Sequence, residues 1–187
     1  TGDYPQELFM MKGLFVLALI ITAFLYLAHA KTMELKKSTK SIFIEEKKDW
    51  TLGKDLFGMP FIYFSPQLNG QRSNISFTDT GAELELDIKS LASSQESYQK
   101  NKKEWAEQVG ATPLSFRPYE VTVNQHGHKI HKIGFSYEHE GDKYFENSYY
   151  IECRGKLLFS KSLRTSENEK HETDFKELIG SLDCGGV

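Results

Sequence analysis

The 187 residues carry 23 lysine and arginine side chains against 26 aspartate and glutamate side chains, a formal net charge of −3. No basic stripe interrupts this balance, so the electrostatic footprint of a nucleic-acid-binding protein is missing and that class is excluded. Aromatic residues make up 13% of the chain, a content that suits a packed core and argues against disorder.

An apolar segment near the beginning predicts export. Residues 11–30 read "MKGLFVLALIITAFLYLAHA", with one lysine, an uninterrupted apolar run and small residues at Ala28 and Ala30. This is the layout of a secretory signal peptide with an A-x-A cleavage signal. We therefore expect cleavage after Ala30 and a secreted or periplasmic protein with no stable membrane insertion. The alternative is an uncleaved signal anchor, since the run is just long enough to span a bilayer. Residues 1–10 are an acidic upstream extension outside the fold.

The remaining residues have the size of one ordinary domain. Residues 31–40, "KTMELKKSTK", are basic and polar and predict a flexible linker, followed by a single domain over 41–187. Apolar or alternating runs bounded by turn residues predict the first strands: 41–46, 61–66, 74–77 and 82–91.

A change of period predicts a helix over about 94–109. Ser93 and Glu96 have the spacing of a capping box, and Gly110 lies where a helix ends. Apolar residues recur between them at helical spacing: Tyr98, Trp105 and Val109.

Strand-like runs follow Pro113 and Pro118, separated by turn signals near 126–127, 141–142 and 154–155, as in an antiparallel meander. A second capping box at 166–169 then begins an apolar helical stripe, which predicts a helix over 167–180. The order predicts an α+β fold, in which helices flank an antiparallel sheet made of the N-terminal strands plus a four-strand meander.

The two cysteines, Cys153 and Cys184, both follow the export segment. Two cysteines usually pair in an oxidising compartment, so we expect a disulfide that staples the last helix to the sheet. Closing this loop is worth roughly 3–4 kcal/mol in the chain-entropy model. The alternative is two separate buried thiols.

Four histidines fall in the stretch "HGHKIHKIGFSYEHEG". Side chains of a strand alternate between its faces, so His128 and His131 point to opposite sides, and His139 lies roughly 26 Å from His131 along the strand. Only His126 and His128, at the hairpin turn, are placed to converge. They are the candidate metal ligands, although zinc needs three or four, and the alternative is that they are polar surface residues. The same alternation turns three residues towards the core: Ile133, Phe135 and Tyr137.

No catalytic or cofactor-binding residue is predicted. The sequence contains no G-x-S-x-G, H-E-x-x-H or P-loop pattern, and nothing points to a Ser-His-Asp arrangement.

The succession of elements resembles the PsbP-like superfamily, which includes the extrinsic photosystem protein PsbP, periplasmic DcrB-like proteins and a Ran-binding nuclear import factor. The resemblance covers about residues 42–183. It rests on "MPFIYFSPQLNGQRSNISF", the "SSQESYQKNKKEWAEQVG" helix, the "HKIGFSYEHEGDKYFENSYYIECRGKLLFSKSL" meander and the final "DFKELIGSL". It implies an antiparallel sheet flanked by helices and a non-enzymatic role in binding or assembly. No metal, ion or GTPase-contact residue of the family is matched.

These features together predict an exported binding domain that acts as an accessory or assembly factor for an unidentified protein or envelope component, without a cofactor. A secreted hydrolase lacking a recognisable motif is one alternative. Another is a carrier of a small apolar ligand between helix and sheet, although core packing also explains the aromatic residues that it would use: Phe135, Tyr137, Tyr149 and Phe159.

Overall fold

The computed structural model describes residues 32–37, 40–83 and 95–185. These residues form nine strands, two α-helices and one short 3-10 turn. The elements in chain order are β1 (Thr32–Lys37), β2 (Lys40–Glu45), β3 (Thr51–Leu56), β4 (Met59–Phe64), β5 (Asn74–Glu83), α1 (Gln95–Val109), β6 (Thr112–Val123), β7 (Lys129–His139), β8 (Asp142–Cys153), β9 (Lys156–Thr165), the 3-10 turn Ser166–Asn168 and α2 (His171–Gly180).

Seven of the strands form one antiparallel sheet in the order β3-β4-β5-β9-β8-β7-β6. The segment β6 to β9 is the predicted four-strand meander, and β5 joins the earlier strands to it by pairing with β9. Strands β1 and β2 form a separate two-stranded hairpin. The predicted α+β fold, with an antiparallel sheet and two helices, is confirmed.

The two helices pack on opposite faces of the large sheet. Ile130 of β7 belongs to a buried cluster with Phe175 of α2, whereas Phe135 of the same strand belongs to a cluster with Ala106 of α1. Because side chains alternate along a strand, odd-numbered residues of β7 point to the α1 face and even-numbered residues to the α2 face. The prediction that Ile133, Phe135 and Tyr137 point to the core is confirmed, since all three are buried.

The predicted linker over 31–40 is wrong for most of its length. Residues Thr32–Lys37 form β1, and Leu35 is 1% exposed in the core beside Ile44 of β2. Met33 and Leu35 alternate with polar residues, which is the period of two expected of a strand. The prediction rested on composition, and the many lysines of this segment made it read as a polar linker.

The C-terminal helix begins later than predicted. The capping-box residues form the 3-10 turn, and the α-helix starts at His171 instead of 167. Asn168 is fully buried and donates a hydrogen bond from Nδ2 to Thr165 Oγ1 at 3.1 Å. This local bond holds a tight turn that competes with a regular helical start.

Several predicted segments lie wholly or partly outside the described residues. These are the upstream extension 1–10, the signal peptide 11–30, the first residue of the helix 94–109, and the strand 82–91 beyond the end of β5 at Glu83. In the described part of the chain, neither helix is long and apolar enough to cross a membrane.

A charge network fixes α2 on the sheet. The Glu172 carboxylate accepts hydrogen bonds from Arg117 Nη1 of β6 at 3.2 Å and from Arg164 Nε of β9 at 3.0 Å. Burial alone would raise the pKa of Glu172, but the two guanidinium groups outweigh it and lower the pKa. The helix is thereby tied to two strands that do not neighbour each other in the sheet.

A disulfide joins Cys153, the last residue of β8, to Cys184 beyond α2, with Cα atoms 5.6 Å apart. Nearby, Asn124 of the β6–β7 turn donates from Nδ2 to the carbonyl oxygen of Leu182 at 2.7 Å and to that of Ile179 at 3.3 Å. The end of α2 is therefore held both covalently and by hydrogen bonds.

His171, the first residue of α2, is buried. Its Nδ1 lies 2.8 Å from Ser73 Oγ, and its ring meets Trp50 edge-on. Burial lowers the pKa of His171; the Asp174 charge opposes this, and the Lys170 charge reinforces it. The folded protein thus holds this imidazole neutral at pH values where the unfolded chain binds a proton.

The disulfide gives a first test. Replacing Cys153 and Cys184 together by Ser should lower the free energy of unfolding by about 3–4 kcal/mol, because the loop of the unfolded chain is no longer closed. Urea denaturation of the variant and of the oxidised parent protein measures the difference, and the parent protein with reductant is the control. Two free thiols in exported protein, seen by mass spectrometry, would contradict the pairing.

His171 gives a pH-dependent test. Because its folded-state pKa is lowered, the free energy of unfolding should fall as the pH drops below about 6.5, where the unfolded chain begins to take up a proton. The variant His171→Gln should show a shallower loss between pH 6.5 and pH 5 in urea denaturation. Glu172 and Asp183, whose pKa values are also lowered, contribute only at more acidic pH. Equal slopes for the parent protein and the variant would refute the assignment.

Candidate functional site

A groove of about 200 Å³ lies on the α1 face, beside the first turns of α1. We call it the tyrosine groove, because three of its lining residues are tyrosines. Its lining comes from α1 and from the three strands β6, β7 and β8: Ser97, Tyr98, Asn101, Tyr119, Lys132, Ile133 and Tyr150.

The groove presents mainly neutral groups. Phenol rings and one isoleucine provide apolar surface, and hydroxyl and amide groups provide hydrogen-bonding capacity. Lys132 is also in the lining, but as an even-numbered residue of β7 it points its side chain to the α2 face. Burial lowers the pKa of its ammonium group, and the charges of Glu172 and Arg117, which belong to the network that fixes α2, act on that pKa in opposite directions. The lining therefore suits an uncharged ligand with both apolar and hydrogen-bonding groups.

The tyrosine at the β6 side of the groove is held by a buried polar array. His131 is 1% exposed; its Nε2 lies 2.7 Å from Glu152 Oε1, and its Nδ1 contacts the Tyr119 hydroxyl. A carboxylate only accepts hydrogen bonds, so Nε2 carries the proton and donates to Glu152. In the neutral ring Nδ1 is then an acceptor, and the Tyr119 hydroxyl donates to it.

This arrangement determines what Tyr119 offers to a ligand. Its proton is committed to His131, so its oxygen is left to accept a hydrogen bond from a ligand. Burial raises the pKa of Tyr119, and the nearby Glu152 charge raises it further. The phenol therefore stays protonated at neutral pH, as a positioned hydrogen-bonding group and not as a nucleophile or base.

The helical wall of the groove is held by a second buried carboxylate. Glu146 of β8 is 4% exposed and pairs with Lys102 of α1 and, at 3.5 Å, with Lys161 of β9. The Lys102 ammonium group also lies 5.4 Å from the ring centroid of Trp105 and 5.8 Å from that of Phe135, within cation–π range. Tyr98 lies one turn before Lys102, so this cluster fixes its position.

The two candidate metal ligands lie near each other but form no metal-binding group. The ring centroids of His126 and His128 are 6.5 Å apart, and His128 Nε2 is 3.3 Å from Asp183 Oδ1. In the described residues no group of three or more histidine, cysteine, aspartate or glutamate side chains is placed to hold a metal. His128 Nε2 also accepts the Cys184 N–H at 3.2 Å, so this turn residue is hydrogen-bonded to the segment after α2. Burial opposes ionisation of Asp183, but the contact with His128 and the nearby His126 lower its pKa.

The other histidines of the stretch separate as the strand alternation predicts. His128 contacts Asp183 beyond α2, whereas His131 lies beside Tyr119 on the α1 face. His139 Nε2 is 3.1 Å from the carbonyl oxygen of Val109, at the end of α1. Sequence reasoning missed the pairing of His131 with Glu152. The sequence did contain a signal for this pairing: His131 has the same strand parity as the buried residues Ile133, Phe135 and Tyr137. A histidine on that face is expected to be buried, and a buried imidazole needs hydrogen-bond partners.

The aromatic residues proposed for a carrier do not surround one cavity. Phe135 and Tyr137 stack on each other in the cluster beneath α1, whereas Tyr149 belongs to the cluster beneath α2. A second hollow, of about 230 Å³, lies beside the disulfide. Its apolar lining comes from the two cysteines together with Ile42, Leu157 and Leu158.

The polar array gives a third test. Tyr119→Phe should lower the free energy of unfolding by about 1–3 kcal/mol, because it leaves the buried Nδ1 of His131 without its partner. The control is Tyr144→Phe, whose ring stacks on Tyr137 in the same sheet face and which should change stability by less than about 0.5 kcal/mol. Equal effects of the two substitutions in urea denaturation would rule out the array as described.

Solved structures with a similar fold include two proteins of bacterial origin. The solution structure of the cyanobacterial PsbP protein CyanoP from Synechocystis sp. PCC 6803 matches with a TM-score of 0.57 and 8% identity, covering 86% of this chain and 96% of that one. LpqN of Mycobacterium tuberculosis, which is involved in cell envelope biogenesis, matches with a TM-score of 0.52 and 11% identity, covering 83% and 91%. No family model and no curated protein matches the chain. At these identities the likeness concerns the fold alone: the chain has a PsbP-like fold, and the resemblance inferred from its element order is confirmed as a likeness of fold.

Proposed function

We propose that the protein is an exported, non-enzymatic accessory or assembly factor that binds a protein or envelope component in the tyrosine groove. The observation that carries this proposal is the mainly neutral, tyrosine-lined groove itself, with Tyr119 held in one orientation by His131 and Glu152. A site whose polar groups are fixed in advance loses less conformational entropy on binding.

The chemistry of the groove narrows the class of ligand. Tyrosine supplies large, stiff contact area with a polar end and is enriched at protein interfaces. Asn101 and Ser97 add groups that both donate and accept hydrogen bonds, and Tyr119 adds an acceptor. An uncharged segment of a partner protein, with backbone donors and small apolar side chains, satisfies this combination.

The same geometry argues against the hydrolase alternative. The Glu152 carboxylate does hydrogen-bond to His131 Nε2, as in a catalytic array, but the other ring nitrogen, Nδ1, contacts the hydroxyl of Tyr119. A nucleophile needs an adjacent base and a pKa that allows ionisation, whereas burial raises the pKa of Tyr119. The array therefore supports positioning of a phenol instead of its activation.

Export is part of the proposal. Cleavage after Ala30 would release a chain that begins at Lys31, and a disulfide between Cys153 and Cys184 suits the oxidising compartment beyond the membrane. The fold likeness to LpqN, a protein involved in cell envelope biogenesis, is compatible with this location.

Tyr150 provides the test of the groove. In a quantitative pull-down from native envelope extract, Tyr150→Ser should lower capture of the partner at least about tenfold, since truncation of a tyrosine hot spot costs about 2 kcal/mol or more of binding free energy. A photo-crosslinking residue at Asn101 should label the same partner, because Asn101 lines the groove.

The matched control is Tyr144→Ser, on the same strand and the same sheet face but outside the groove lining. It should retain full capture, and circular dichroism should show that both variants are folded. If Tyr144→Ser and Tyr150→Ser reduce capture equally, or if Asn101 labels nothing that the parent protein captures, the groove is not the binding site.

A further inference from the structure

We infer that two copies of the chain associate by antiparallel pairing of the edge segment 119–123, "YEVTV", about a two-fold axis at Val121. Among the described strands, β6 lies at one end of the large sheet and pairs only with β7. An edge strand presents unpaired backbone groups that form a template for another strand. The inference concerns the backbone edge of β6 and does not depend on the proposed function, although the Tyr119 side chain also lines the tyrosine groove.

The edge is protected along its first half and open along its second. Pro113 and Pro118 remove backbone donors, and the register with β7 shifts beside each of them; both features discourage strand addition. From Glu120 to Val123 the register with β7 is regular. The segment 119–123 contains no proline, glycine or lysine, so it lacks the residues that usually blunt an edge.

Two apolar side chains of this segment are exposed. Val121 is 50% exposed and Val123 is 64% exposed, in a strand whose β-branched residues have high strand propensity. The opposite edge strand, β3, is less suitable. It contains Gly53 and Lys54, and Asp55 has a left-handed φ of 51° that interrupts the extended backbone.

The backbone groups of the odd-numbered residues point away from the sheet. The Asn124 N–H donates to the carbonyl oxygen of His128 at 3.0 Å, so at position 124 the backbone faces β7. Backbone direction alternates along an antiparallel strand, so residues 119, 121 and 123 face outwards. The Tyr119 N–H agrees with this direction, since it donates to Gln95 Oε1 at 3.4 Å at the start of α1.

Symmetry selects the register of the pair. If Val121 faces Val121 of the second copy, Tyr119 faces Val123 and Glu120 faces Thr122. This register brings an aromatic ring opposite a β-branched residue, a favourable cross-strand pair, and keeps the two Glu120 carboxylates apart. A register centred on Glu120 would place like charges directly opposite each other, which is unfavourable.

The pairing closes after two copies. A two-fold contact uses the same surface on both chains and leaves no free copy of that surface. About four backbone hydrogen bonds would form, two at the Val121 pair and one at each pair of Tyr119 with Val123, because the Tyr119 N–H already donates to Gln95. A five-residue contact is smaller than a standard interface of about 1,600 Å², so we expect a dissociation constant between about 1 μM and 1 mM.

Sedimentation equilibrium of the purified, oxidised protein up to about 1 mM tests the inference. A monomer–dimer equilibrium is expected. Val121→Lys should raise its dissociation constant by about tenfold or more, because two ammonium groups would meet at the axis. The matched control is Val109→Lys, which replaces an exposed valine at the end of α1 and should leave the equilibrium unchanged.

Cysteine pairs test the register. Facing Cα atoms of a hydrogen-bonded pair are about 5.5 Å apart, within reach of a disulfide, so Val121→Cys should give a covalent dimer on non-reducing gels. Thr122→Cys should not, because the register separates the two copies of residue 122 by about 8 Å. A monomer at every concentration, a larger open series, a dimer unaffected by Val121→Lys, or equal cross-linking by both cysteines would overturn the inference. If Tyr150→Ser loses partner capture but keeps the same monomer–dimer equilibrium, partner binding in the groove and dimerisation at the β6 edge are independent.

Discussion

The buried carboxylate of Glu146 is the interaction on which the α1 face depends. A carboxylate removed from water costs several kcal/mol unless its partners replace the lost hydration, and Lys102 and Lys161 do so from a helix and from the neighbouring strand. The ammonium group of Lys102 is in turn surrounded by aromatic rings. The helix therefore has one position in which the charges and rings are satisfied together, and the groove wall follows from that position.

Both faces of the sheet use the same means, a carboxylate between two cations, but the carboxylate comes from a strand on one face and from a helix on the other. On the α1 face a strand carboxylate receives cations from a helix and a strand, whereas on the α2 face the helix carboxylate of Glu172 receives Arg117 and Arg164 from two strands. Each helix is thus oriented by a buried or half-buried carboxylate in addition to its apolar contacts. Apolar packing alone tolerates small rotations of a helix, and these fixed charges favour a single orientation.

The sequence allowed the fold to be predicted much further than the site. Periodicity and turn residues predicted α1, the four-strand meander and the inward direction of Phe135, because these features depend on neighbours along the chain. Strand β1 was missed because its lysines conceal the alternation of Met33 and Leu35, whereas β2 was predicted. Nothing local to Tyr119, His131 or Glu152 indicates that they meet, since their contact depends on strand register. His126 and His128 lie near each other at the β6–β7 turn, but among the described residues they form no group of three ligands, and His128 instead contacts Asp183.

The pairing of β5 with β9 has a consequence for how the chain acquires its structure. Ile75 and Phe77 of β5 are almost completely buried, but one of the two neighbours of that strand is contributed by residues 156–165. The N-terminal strands β3, β4 and β5 therefore expose an unpaired apolar strand edge until β9 has been synthesised and has paired with β5. Contacts this distant in sequence fold slowly because the intervening loop must close first. A chain threaded through a membrane from its N-terminus would complete its core only late, and during that interval β5 is the surface that most needs protection from aggregation.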